Sequence, residues 1–80
     1  MKLIEALVVA TQEYGRRYGD WKATHSSGCC IGRAPRGVYL AFDLNMISQS
    51  LDCLETVIAD FGEKHPYELL DDHWKVSRWE

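Results

Sequence analysis

The apolar residues of this chain change their spacing three times along its length. That succession of periods limits the possible folds more than any single motif does. Between residues 2 and 18, Leu3, Leu7, Ala10, Tyr14 and Tyr18 recur at helical intervals, and Ile4 and Val8 widen the stripe. Gly15 and Gly19 offer exits, and Arg16 and Arg17 suit the negative end of the helix dipole. The period then shortens. Trp21–His25 and Cys29–Arg33 read as short strands separated by the turn Ser26-Ser27-Gly28. Ala34-Pro35-Arg36-Gly37 is a hairpin tip, because Pro presets φ and Gly permits positive φ. Val38–Phe42 alternates as a third strand.

Helical spacing returns over residues 46–61 with Ile47, Leu51, Leu54, Ile58 and Phe61, and Gly62 stands where a C-terminal cap belongs. A later start is also open, since Asp52 and Glu55 form a capping-box pattern. His65-Pro66 opens a short helical turn through Leu70, with Pro66 at its first position. Trp74, Val76 and Arg78 alternate with Lys75 and Ser77 in a last strand over residues 73–79. The order α-β-β-β-α-β predicts an α+β fold, a single domain over residues 1–80. A small antiparallel sheet of three to four strands would carry two helices on one face.

Eighty residues build only a small core, which oligomerisation would enlarge. At 46% hydrophobic and 26% charged, the composition is that of a globular protein and not a disordered one. No apolar run approaches the roughly 20 residues of a membrane span. Glu5 interrupts the apolar N-terminal stretch, which argues against a signal peptide. Three cysteines, an odd number, read as reduced thiols in a cytoplasm. The net charge of −3 is split unevenly: residues 1–42 hold six cations against three acids, and residues 43–80 hold three cations against nine. Mild acidity gives no footprint for nucleic acid, but the basic half suggests a cationic face.

Catalytic and metal motifs are sparse. His25, Cys29, Cys30, Cys53, His65 and His73 are the possible ligands, yet no CxxC or His-x₃-His pair exists, so no metal site is expected. Adjacent strand residues point to opposite faces, so Cys29 and Cys30 would not share an ion. A thiol nucleophile at Cys29 or Cys30 with His25, His65 or His73 is possible on paper, but no third group is positioned by sequence, and the expectation is a non-catalytic protein. Arg33 and Arg36 at one hairpin tip suit a phosphate or carboxylate. Trp21 close behind Arg16-Arg17-Tyr18 suits a stacked base. Asp71-Asp72 beside His73-Trp74 offers acceptors for ligand hydroxyls.

Glu5-Ala6-Leu7, Gly15-Arg16-Arg17 with Trp21, Tyr39-Leu40, and Leu69-Leu70-Asp71-Asp72-His73-Trp74-Lys75-Val76 together resemble the small phage proteins of the second Thoeris anti-defence type. His73 stands where that family usually places Asp before Trp, and residues 44–62 have no counterpart in its pattern. The resemblance implies a phage or mobile-element protein that sequesters a cyclic ADP-ribose-type nucleotide in pockets between subunits of a homo-oligomer. Arg17, Trp21, Asp72 and Trp74 would contribute to those pockets. The expected function is therefore a cytoplasmic binding module for a small anionic, nucleotide-like ligand. Its candidate site is Arg16, Arg17, Trp21, Arg33, Arg36, Asp72 and Trp74, with no cofactor. The alternative partner is a host protein, blocked through an acidic, Trp-rich surface, with no membrane and no nucleic acid involved.

Overall fold

In the computed structural model the described residues are 1–14, 20–45, 47–51 and 53–79. Three helices pack with a five-stranded antiparallel sheet. The elements run α1 (Leu3–Glu13), β1 (Trp21–His25), β2 (Cys30–Ala34), a short 3₁₀ turn (Pro35–Gly37), β3 (Val38–Phe42), β4 (Ile47–Ser50), α2 (Leu54–Lys64), α3 (Pro66–Leu70) and β5 (Trp74–Arg78). The sheet order is β4-β3-β2-β1-β5, so the last strand returns beside the first.

Register explains the core. Ala23 faces Ile31 on one side and Val76 on the other, Ile31 faces Ala41, and His25 faces Trp74. Directly opposed residues of an antiparallel pair share a face. That face meets Leu3, Ala6 and Ala10 of α1 and Val57 and Phe61 of α2 in one cluster, which Cys29 joins. Cys30, one residue on, lies on the reverse face, where the Thr24 hydroxyl donates to its Sγ at 3.8 Å. Burial pushes the Cys30 thiol pKa up, and the Thr24 contact and the Lys22 charge only partly oppose this.

The sequence-derived expectations need three corrections. Ile47 does not begin a helix. Residues 47–50 form edge strand β4, which pairs Ile47 with Phe42 and Gln49 with Leu40. Ile47 and Leu51 are exposed, and α2 presents Val57 and Phe61 to the core with Leu54 packed beside them. The Ser48 hydroxyl donates to Asp60 at 2.7 Å and ties β4 to α2. The Asp52 part of the capping-box pattern lies outside the described residues. Gly62 is not a cap: α2 runs to Lys64, His65 closes it, and Gly62 lies where Leu69 of α3 approaches. Ile4 and Val8 face outward, because Ala6 and Ala10 set the buried stripe of α1 between them. The end expected for that helix, residues 15–18, lies outside the described residues; α1 closes at Tyr14, whose N–H donates to the Ala10 carbonyl at 2.9 Å.

Among the described residues no helix is long and apolar enough to cross a membrane.

Candidate functional site

At one end of the sheet the β1–β2 turn, the link after β3 and the α2–α3 corner meet around a cavity of about 480 Å³. Its lining includes Ser27, Cys29, Phe42, Asp43, His65 and Glu68. Each side chain is delivered by a local constraint. Gly28, with φ of 101°, turns the β1–β2 hairpin, whose bonds run from Gly28 N–H to the His25 carbonyl and from His25 N–H to the Cys29 carbonyl. That turn sets Ser27 and Cys29 at the cavity. Asp43 follows β3 directly, and its Oδ1 accepts the Asn45 N–H at 2.6 Å, which anchors the carboxylate to its own loop. His65 sits between α2 and the helical start at Pro66, and its ring stacks on buried Phe61 with centroids 5.0 Å apart.

The three groups form a row. The His65 Nε2–H donates to the Asp43 carboxylate, which can only accept. That leaves the Nδ1 lone pair for the Cys29 thiol, whose Sγ lies 3.8 Å away. Glu68 Oε2 stands 3.7 Å from the same Nδ1. On its other side, Cys29 Sγ receives the Ser27 hydroxyl at 3.3 Å. Thiol, imidazole and carboxylate are thus arranged in the sequence of a nucleophile, its base and the group that orients the base.

A second cluster adjoins the first through Ser27. His25, buried at 6% exposure, holds its Nδ1 2.9 Å from the Ser27 hydroxyl and accepts the Ser27 N–H at 3.1 Å. His25 Nε2 lies 2.7 Å from Asp71 Oδ2, and His73 Nδ1 lies 3.0 Å from the same oxygen. The bond from His25, helped by the Asp72 backbone and by His73, holds the Asp71 carboxyl down at about 2.

The described residues among those expected to bind ligand are not gathered here. Trp21 and Trp74 are core side chains, 2% and 1% exposed, and neither can serve as an open stacking platform. They stand at opposite ends of β1, since Trp74 pairs with His25, about 13 Å along the strand from Trp21. The Trp74 ring packs edge-on against Phe61, and its Nε1–H donates to the Glu68 carbonyl at 2.8 Å. Arg33 and Arg36 lie at the far end of the sheet, around the β2–β3 turn. Arg33 is 4.0 Å from Asp20, and Arg36 is exposed with φ of 75°. Asp72 is exposed, 3.8 Å from the Met1 amino group. Arg16 and Arg17 lie outside the described residues.

Cys29 and His65 were visible as one of several possible pairs, but Asp43 and Ser27 carried no signal. Their meaning depends on which turn closes against which helix corner. Comparison of the chain with family profiles, with curated proteins and with solved structures finds no match.

Proposed function

We propose that this protein is a thiol-dependent enzyme of the acyl-transfer or hydrolytic class, with Cys29 as nucleophile, His65 as general base and acid, and Asp43 as the group that orients the imidazole. The observation that carries this reading is the placement of the His65 ring between the Asp43 carboxylate and the Cys29 thiol, one ring nitrogen toward each, at the wall of a cavity. In the proposed reaction, Nδ1 takes the thiol proton and Sγ attacks a substrate carbonyl. The bond to the leaving group breaks as Nδ1 returns the proton to that group, and water then cleaves the thioester. The Ser27 hydroxyl stabilises the developing thiolate. A thiol-to-imidazole separation of 3.8 Å is loose, as such pairs often are before substrate binds. Carboxylates of Asp43 and Glu68 at the same cavity disfavour an anionic substrate, while Phe42 and Leu44 favour an apolar group.

This reading departs from the expected nucleotide binder, whose cationic candidates Arg33 and Arg36 lie at the opposite end of the sheet. The alternative of a protein partner keeps one supporting observation. Leu44, Tyr67 and Leu70 are exposed apolar side chains on the rims of the two adjoining clefts.

The test is the rate of alkylation by iodoacetamide at neutral pH, read separately for each cysteine by peptide mass spectrometry in a Cys53→Ser background. Cys29 is expected to react at least about tenfold faster than Cys30, and His65→Gln is expected to remove most of that advantage. Equal, slow labelling of Cys29 and Cys30, or an unchanged Cys29 rate in His65→Gln, refutes the assignment.

A further inference from the structure

We propose that His25, Asp71 and His73 form a binding site for a borderline divalent transition ion such as Zn²⁺, separate from the Cys29 row. Among the described residues, two clusters bring three metal-ligating side chains within 4.8 Å of one another, Cys29–Asp43–His65 and His25–Asp71–His73. Their geometries differ in the respect that matters. In the first, the imidazole stands between the other two groups and turns a different nitrogen to each, so one ion cannot take all three without turning the ring. In the second, two imidazoles from distant parts of the chain aim one nitrogen each at a single carboxylate oxygen, and their donor atoms converge on one point.

The dimensions suit an ion. Tetrahedral ligands at bond lengths of about 2.0–2.1 Å lie roughly 3.3 Å apart. The two His–Asp71 separations are 2.7 and 3.0 Å, so they need to open by about 0.6 and 0.3 Å. The rings are almost perpendicular, at 89°, with centroids 6.3 Å apart, so both can point a nitrogen at the Asp71 oxygen without stacking on each other. His25 is buried and packed against Trp74, which gives the site a rigid anchor. The His73 side chain is 68% exposed, so the remaining coordination position opens to water. A metal-bound His donates through its other nitrogen. For His25 that acceptor is in place: with Nε2 on the ion, Nδ1–H donates to the Ser27 hydroxyl at 2.9 Å. The cost is the Ser27 N–H, which is 3.1 Å from the same nitrogen and must turn to another partner. Through Ser27, whose hydroxyl also reaches Cys29 Sγ, an ion here would be felt at the thiol.

Untagged protein stripped with chelator is titrated with ZnCl₂ by calorimetry and with CoCl₂ by visible absorption. The expected result is one saturable site whose Co²⁺ spectrum shows tetrahedral bands without a thiolate charge-transfer band. His73→Ala, a substitution at an exposed side chain, is expected to weaken binding by about tenfold or more, and Cys29→Ser is expected to leave it unchanged. The proposal is overturned by no saturable binding up to about 1 mM, by a sulfur charge-transfer band, or by binding that Cys29→Ser abolishes and His73→Ala spares.

Discussion

Gly32, in the middle of β2, has the least room of any glycine that Cβ contacts describe, and its replacement by alanine tests the packing beneath the site. A Cβ built there would lie 2.5 Å from the Trp21 carbonyl oxygen and 2.9 Å from Lys22 Cα. Ordinary contact begins at 3.4 Å, so the nearer approach falls short by 0.9 Å. Both clashing atoms are backbone of β1, paired with β2 through Lys22 and Gly32, and no side chain can swing aside. Relief requires the two strands to part. Weakening the ladder bonds that flank the pair costs on the order of 1 kcal/mol each, and overpacking of this kind costs about 1–3 kcal/mol. The alanine also stiffens the unfolded chain, which returns about 0.4–1 kcal/mol. The expected net loss for Gly32→Ala is about 2 kcal/mol. In a chain of this size that lowers Tm by roughly 8–16 °C, read by circular dichroism at the far ultraviolet. Cys29 immediately precedes the strand that must move, so its alkylation rate should change as well. A Tm within about 2 °C of the parent would refute the close approach of β1 and β2.

Two other outcomes follow from the packing. Phe61 is fully buried against Trp74 and beneath the His65 ring. Phe61→Leu should cost about 1–2 kcal/mol in denaturant unfolding, through lost ring contacts and volume, and should slow Cys29 alkylation by loosening His65; full stability with a slowed thiol, or the reverse, would separate the two roles assigned to this ring. The Cys30 thiol gives a pH dependence on the alkaline side. Its folded pKa is raised above 9.0 by burial, so above that pH the unfolded chain gives up its proton while the folded chain keeps it. The contribution is fully present below pH 9.0 and is lost as pH rises through the folded value. Urea midpoints measured upward from pH 8 should fall for the parent and fall less for Cys30→Ala, and parallel curves would contradict the assignment.

The succession of periods along the chain specifies much of the architecture. Trp21–His25 and Val38–Phe42 are strands with the bounds that alternation suggests, and Pro66 opens α3 because a missing N–H costs nothing at a first helical position. Local chemistry was also enough to separate Cys29 from Cys30, since neighbours on an extended backbone must face apart. The β4 segment departs from its helical spacing for a physical reason. Ile47, Leu51 and Leu54 fit a helical stripe as well as they fit an edge strand followed by a turn, and only pairing with β3 decides between them.

The chain's own chemistry named cysteines, histidines and carboxylates but left them unsorted. Asp43 lies 22 residues from its partner His65, and Asp71 lies 46 from His25. No local periodicity encodes separations of that length. They exist because β5 returns beside β1 and because the α2–α3 corner closes over the end of β3. The indoles show the same division from the other side. Composition made Trp21 and Trp74 attractive as ligand platforms, and the tertiary fold used them as core because a small chain has few larger apolar surfaces to bury.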